Sequence, residues 1–160
     1  IERYRRGELE NADSIKFPDS LKYKTTHGRI VYGGGGIMPD VFVPLDTTMN
    51  SKYLAHVQSK GLINQFTYDY VDENRGTING FKDLKAFVKG FTVTDAILNR
   101  FISYAEKQGY KPDNKDLKAS SLFIKTNIKA LIARQIWKSE GYYYIMNGLD
   151  EAYKKAIHIR

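Results

Sequence analysis

The spacing of apolar residues changes near residue 47, and this change most limits what the chain can fold into. Before residue 47, apolar and polar residues alternate in short stretches, as they do in half-buried strands. After it, apolar residues recur every three to four positions, as they do in amphipathic helices. We therefore predict strands within a first domain, residues 1–47, and a helical domain at residues 48–160.

The first domain is predicted to contain strands at residues 21–26 and 29–32, joined by a tight reversal at His27 and Gly28. A further extended segment is expected at residues 41–43. Two or three short strands are only marginally stable without more sheet or a covering helix. We therefore expect these strands to belong to a larger sheet, and their edges to pair with each other or with another copy.

The second domain indicates a mainly α fold, a bundle of about five helices preceded by the short β-hairpin. Four residues are candidate caps of the first helix: Thr47, Thr48, Asn50 and Ser51. A later helix is expected to begin at Thr94, and the longest helix, at about 116–138, is expected to be capped by Asp113 or Asp116. The positions expected to face the core are Tyr53, Leu54, Val57, Leu62, Ile63, Phe66, Tyr70, Val71, Phe81, Leu84, Phe87, Ile97, Leu98, Phe101, Ile102, Ala105, Leu117, Ile124, Ile128, Leu131, Ile132 and Gln135. A last helix at about 149–158 is expected to bury Leu149, Ala152, Tyr153, Ala156 and Ile157. The consecutive tyrosines Tyr142, Tyr143 and Tyr144 are expected to pack between the longest helix and this last one.

Composition excludes several functional classes. The chain has no cysteine, which excludes disulfides, thiol nucleophiles and Cys-ligated metals. No apolar run approaches the roughly 18 residues that a membrane-spanning helix needs. Acidic and basic side chains balance in the first 50 residues, so the net charge of +7 belongs to residues 51–160. With 12 Tyr and 8 Phe, this charge permits a nucleic-acid surface, although lysines on the solvated face of a helical domain explain it more simply.

The glycine run Gly33–Gly36 is the most conspicuous candidate for a binding loop. A phosphate-binding loop needs Lys and Ser or Thr directly after the glycines, whereas Ile37, Met38 and Pro39 follow here. We therefore interpret the run as a structural feature, a bulge or a close crossing of strands that needs glycine. No serine lies in a G-x-S-x-G elbow.

Titratable side chains give equally weak signals. The histidines, His27, His56 and His158, lack the spacing of a helical metal pair. The acidic cluster of Asp69, Asp72 and Glu73 is expected to be a solvated face. Lys118, Lys125 and Lys129 share one helix face, which could contact phosphates or an acidic partner but is more simply a solvated flank. We predict no catalytic, cofactor-binding or metal-binding residue in this chain.

The segment from Gly28 to Asp40 carries a family resemblance. It reads GRIVYGGGGIMPD and is similar to the "GR-x-VYGGGGI-x-PD" segment of C-terminal-processing peptidases, also called tail-specific proteases. These are serine endopeptidases with a Ser–Lys dyad. Further stretches resemble the versions of these enzymes in Bacteroidetes-type bacteria: residues 2–4, 7–9, 12–15, 43–48 and 128–134.

The resemblance implies a C-terminal fragment. In the family, a PDZ domain and the core with the catalytic Ser and Lys precede the glycine segment, and no position here matches either catalytic residue. Gly33–Gly36, Pro39 and Asp40 would close the peptidase core, and the helical domain would be a structural, oligomerising or access-shaping appendage. The partners implied are the upstream core and PDZ domain of the same protein and, for the whole enzyme, the unfolded C-termini of its substrates.

The resemblance also implies a compartment and leaves an alternative. Members of the family are usually exported, so we expect the parent protein in the periplasm or cell envelope, without a nucleic-acid partner or a transmembrane segment in this chain. This fragment alone is predicted to be inactive. The alternative is a stand-alone basic helical module that binds nucleic acid or a protein partner.

Overall fold

The computed structural model describes residues 5–8, 10–11, 19–33 and 41–159. The chain divides into two compact units, Ile1–Asp46 and Thr47–Arg160. Within the described residues, a two-stranded hairpin precedes seven α-helices, which confirms the mainly α fold class with a short hairpin before it. None of the described helices is both long enough and apolar enough to cross a membrane.

The hairpin of the first unit consists of β1 (Lys22–Lys24) and β2 (Ile30–Tyr32). The strands are antiparallel, with Lys22 opposite Tyr32 and Lys24 opposite Ile30. Gly28 has a φ of 81°, the left-handed geometry that glycine adopts without a steric penalty, and this permits the reversal. The two strands therefore pair with each other, as predicted, although each is only three residues long. The extended segment predicted at residues 41–43 forms no strand.

All regular secondary structure described in the second unit is helical. Its helices are α1 (Lys52–Ser59), α2 (Leu62–Glu73), α3 (Arg75–Asn79), α4 (Leu84–Gly90), α5 (Asp95–Lys107), α6 (Asn114–Met146) and α7 (Glu151–Ala156). The short α3 is not among the helices that the apolar spacing predicts, and it begins directly after Asn74, where α2 ends.

Side-chain caps begin several of these helices. The Ser51 hydroxyl accepts a hydrogen bond from the Leu54 amide at 3.0 Å, and Thr94 caps α5 in the same way. At α6, the Asp113 carboxylate accepts from the Asp116 amide at 2.7 Å. Asp113, not Asp116, is therefore the cap of the longest helix.

The core of the second unit lies around α6, which packs against α1, α2, α4 and α5. Ile124, Ile128 and Ile132 of α6 are fully buried, as are Phe87 of α4 and Phe101 of α5. These are among the positions that the helical period predicts. Six other predicted positions are half-buried: Phe81, Ile97, Ile102, Leu117, Leu131 and Gln135.

Helix α6 is broken near its C-terminal end. Trp137 has φ −105° and ψ 19°, and Lys138 has φ 54° and ψ −146°, so neither residue is helical. A Cβ atom on Gly141 would lie 2.8 Å from the carbonyl oxygen of Ala133, eight residues earlier. The part of α6 after Lys138 therefore folds back against the part before it.

The last helix does not pack as predicted. It spans Glu151–Ala156, and every described residue after Asp150 is exposed, including Tyr153 (46%) and Ile157 (61%). The expectation that Leu149, Ala152, Tyr153, Ala156 and Ile157 would be buried is therefore wrong, although Leu149 is half-buried. The spacing of these residues makes one apolar side, but no described element covers that side.

The three consecutive tyrosines do not join the long helix to the last one. Tyr143 and Tyr144 are 60% and 51% exposed, and Tyr142 is half-buried beside the Arg134 guanidinium. The prediction that this triplet would form a packed seam between the two helices is wrong. Every described residue of α7 is exposed, so this helix does not cover the triplet.

Candidate functional site

The glycine run begins at the end of β2. Gly33 donates from its amide to the Leu21 carbonyl at 2.7 Å and so extends the hairpin by one hydrogen bond. A Cβ atom on Gly33 would lie 2.9 Å from Cε2 of Tyr23, so a side chain here would displace the tyrosine ring. Close packing therefore explains the first glycine. The rest of the segment, Gly34–Asp40, lies outside the described residues.

Both faces of the hairpin carry exposed apolar side chains. Side chains of neighbouring residues in a strand point to opposite faces. Ile30 and its neighbour Val31 are nevertheless 51% and 38% exposed, and Tyr23 is 58% exposed. Within the described part of the first unit, the hairpin buries neither face.

Three serine hydroxyls of the second unit make structural hydrogen bonds. Ser51 donates to the Ser120 hydroxyl at 3.2 Å, and Ser120 donates to the Asp116 carbonyl at 2.7 Å. Ser59 donates to the His56 carbonyl. These contacts fix helix ends, and they do not set a hydroxyl beside a general base as a nucleophile needs.

Each of the three histidines has its own local contacts. His27 lies beside Thr26 in the hairpin turn, the His56 ring contacts the Tyr110 ring with centroids 5.8 Å apart, and His158 contacts the Lys154 carbonyl. Among the described residues, no group of three potential ligands could hold a metal ion.

The acidic cluster on α2 is solvated, as predicted, and it is paired with basic residues. Asp69, Asp72 and Glu73 are all exposed. Asp72 forms an ion pair with Arg75 at 2.7 Å, and Glu73 pairs with Arg100 at 2.6 Å. Exposed pairs of this kind contribute little to stability, and these two orient side chains on the surface.

The lysines of α6 differ from their predicted role as a solvated flank. Lys118 is exposed, but the Lys125 ammonium pairs with Asp95 at 2.6 Å. Lys129 is half-buried, and its ammonium donates to the Val88 carbonyl at 2.7 Å. Burial lowers the pKa of Lys129 below its usual value, because desolvation disfavours the charged form. Of these three lysines, only Lys118 is a solvated side chain, whereas Lys125 and Lys129 contact other helices of the domain.

Lys129 lines a cleft of about 530 Å³. One wall comes from α4 and the loop after it, through Val88 and Val93, and the other from the folded-back end of α6 and the turn after it, through Ile145 and Leu149. The sequence does not predict this cleft, because the residues that form it are far apart in the chain. The glycine at position 141, inside a helical pattern, was the available signal that α6 might fold back.

Comparisons with known proteins identify a family but not an activity. Residues 53–138, more than half of the chain, match a family of unknown function (DUF8443). The match runs from α1 to the break in α6. Searches of curated proteins and of solved structures find no match. Since the match covers most of the helical core, the chain belongs to this family of unknown function.

Proposed function

We propose that this chain is the C-terminal part of a C-terminal-processing serine endopeptidase. In this proposal, the first unit completes the peptidase core, and the catalytic Ser and Lys lie upstream of residue 1. The helical domain is itself non-catalytic. The parent enzyme cleaves proteins whose unstructured, apolar C-termini it binds, in the periplasm or cell envelope.

The observation that carries the proposal is an incomplete sheet joined to the glycine segment. The hairpin β1–β2 has only six strand residues and exposes apolar side chains on both faces. Such a hairpin is marginal by itself and gains stability when further strands or helices cover it. The segment that resembles the peptidases, residues 28–40, includes β2 and continues from it.

The helical domain supports the role of an appendage. It has its own core, with Phe87, Phe101 and Ile128 fully buried, so it does not depend on a peptidase core to cover its apolar residues. Its last helix exposes Tyr153 and Ile157, and Ile159 follows at 56% exposure. An exposed apolar side of this kind supports an oligomerising or access-shaping role.

The coding sequence upstream of the Ile1 codon tests the proposal directly. We expect an open reading frame that encodes a PDZ domain and a peptidase core with a Ser–Lys dyad. The protein expressed from that whole frame should degrade an unfolded substrate with an apolar C-terminus. The 160-residue chain alone should not.

Two controls separate the proposal from its alternative. A Ser→Ala change at the upstream nucleophile should abolish the activity of the whole protein, whereas a deletion of residues 47–160 should alter its assembly or substrate range. A reading frame without a peptidase core would overturn the proposal. So would sustained turnover by the 160-residue chain that one Ser→Ala change within it abolishes.

A further inference from the structure

The cleft beside Lys129 combines two features that seldom occur together. Its walls are mainly apolar, from Val88, Val93, Ile145 and Leu149. Lys129, which also lines the cleft, is half-buried and forms no ion pair with any carboxylate in the described part of the chain. A half-buried cation without a counter-charge is costly, because desolvation is not repaid by a nearby anion.

The Lys129 ammonium is positioned by one hydrogen bond and keeps N–H donors that a ligand could use. A lysine ammonium has three N–H donors, and the Val88 carbonyl accepts one of them. Lys125 also lines the cleft, but its charge is already balanced by Asp95 at 2.6 Å. The net positive charge available to a ligand in the cleft is therefore that of Lys129.

The break at Lys138 builds this arrangement. Lys129 and Ile145 are sixteen residues apart, and in a continuous α-helix they would be separated by about 24 Å along the axis. Because α6 folds back after Lys138, both residues line one cleft. A non-glycine residue at φ 54° is strained, and such strain is often found where a site is formed.

We propose that this cleft binds a carboxylate that carries an aliphatic tail, with the carboxylate on the Lys129 ammonium and the tail between Val88, Val93, Ile145 and Leu149. The volume of about 530 Å³ is within the range of small-molecule sites. Charge complementarity selects an anion, and the apolar walls select its tail. Free fatty acids and peptide C-termini with apolar side chains share this chemistry. The proposal does not depend on the peptidase assignment.

Calorimetric titration of the full 160-residue chain tests the carboxylate first. Decanoate, kept below its micelle concentration, should bind about tenfold or more tightly than decanol, because a charge-assisted hydrogen bond is worth at least one tenfold step in affinity. The same comparison is made between an acetylated peptide with a C-terminal leucine acid and its C-terminal amide. Tight binding of decanoate alone identifies the fatty acid as the source, and tight binding of the peptide acid alone identifies a chain terminus.

Two matched variants assign the site. Lys129→Met keeps the length of the side chain without its charge and should remove the preference for the acids over decanol and the amide. Lys118→Met removes an exposed lysine of the same helix and should change the affinity by no more than about twofold. If Lys129→Met does not fold, the unmodified chain still shows whether the cleft prefers a carboxylate. Its affinity for decanoate is then compared with that for decanol, and its affinity for the peptide acid with that for the peptide amide.

Three results would overturn the inference. The first is no binding of either acid, and the second is equal affinity for each acid and its uncharged counterpart. The third is a folded Lys129→Met variant that keeps the full preference for the acid. None of these results bears on whether an upstream peptidase core exists, so failure here is distinguishable from failure of the proposed function.

Discussion

Gly141 lies against the backbone of Ala133, so that a methyl group on Gly141 would be 2.8 Å from the Ala133 carbonyl oxygen and 3.0 Å from its carbonyl carbon. Backbone atoms of a helix cannot move aside as a flexible side chain can. The fold-back of α6 therefore needs a residue without a side chain at this position.

Gly141→Ala is expected to lower the free energy of unfolding by about 1–3 kcal/mol, the cost of overpacking a tightly packed contact. Urea unfolding followed by circular dichroism measures the change. Gly148→Ala is the control, because a Cβ atom at Gly148 meets nothing within 4 Å. An equal effect of the two substitutions would contradict the close approach at Gly141.

Lys138 is strained by its positive φ of 54°, and Lys138→Gly should relieve that strain. The relief exceeds the entropic cost of glycine, so we expect a gain in unfolding free energy of about 1 kcal/mol. Lys138→Ala is the matched control, since it removes the same charged side chain but keeps the Cβ atom. If the alanine variant is as stable as the glycine variant, the backbone of Lys138 is not strained.

Phe87 is at the centre of an aromatic cluster in the helical core. Its ring stacks on Phe91 with centroids 4.9 Å apart and contacts Trp137 at 5.3 Å. Phe87→Ala should cost about 3–5 kcal/mol of unfolding free energy, because it leaves a cavity in a fully buried site.

The fluorescence of Trp137, the chain's single tryptophan, provides a second measurement for Phe87→Ala. Its emission should shift to longer wavelength in the folded variant as water reaches the ring. Tyr68→Ala, at a side chain that is 61% exposed, should change the stability by no more than about 0.5 kcal/mol and leave the emission unchanged.

Tyr53 links stability to alkaline pH. Burial, with a smaller contribution from the Glu106 carboxylate, raises the pKa of Tyr53 from 10.0 to about 12. The folded chain therefore holds this proton more tightly than the unfolded chain. The resulting stabilisation is fully present below pH 10 and is lost as the pH rises from 10 through 12.

Tyr53→Phe isolates this effect. The Tyr53 hydroxyl is buried and has no hydrogen-bond partner among the described residues, so its removal should not lower the stability at pH 7. At pH 11 the variant should gain about 1 kcal/mol relative to the unmodified chain. Urea midpoints at pH 7, 9 and 11 give the comparison, and a difference between the two proteins that does not change with pH would contradict the raised pKa.

Local signals predicted most of the helical domain. Ser51 and Thr94 precede apolar stripes at helical spacing, and each caps a helix in the structure. The caps and the apolar stripes depend only on residues a few positions apart, so they can be predicted from the local sequence. The same holds for the hairpin turn at Gly28, where the local backbone needs glycine.

The cleft and the last helix depend on distant packing, which no local pattern encodes. A lysine such as Lys138 does not indicate a positive φ. Lys129 lies on the same face of its helix as Lys118, so the sequence does not distinguish the half-buried lysine from the solvated one. The stripe of Tyr153 and Ile157 has the period of a buried face, yet no described element covers it. Period predicts which side chains share a face but not whether another element covers that face.

The hydrogen bonds from Ser51 to Ser120 and from Ser120 to the Asp116 carbonyl affect the order in which the helical domain folds during synthesis. Ser51, which caps α1, donates to Ser120, a partner 69 residues later in the sequence. During synthesis, the N-terminal end of α1 leaves the ribosome long before Ser120 does. In that interval the Ser51 hydroxyl can accept from the Leu54 amide, but it cannot yet donate to Ser120. The helical domain therefore joins its beginning to its long helix only after residue 120 has been made, and contacts so distant in sequence slow that closure.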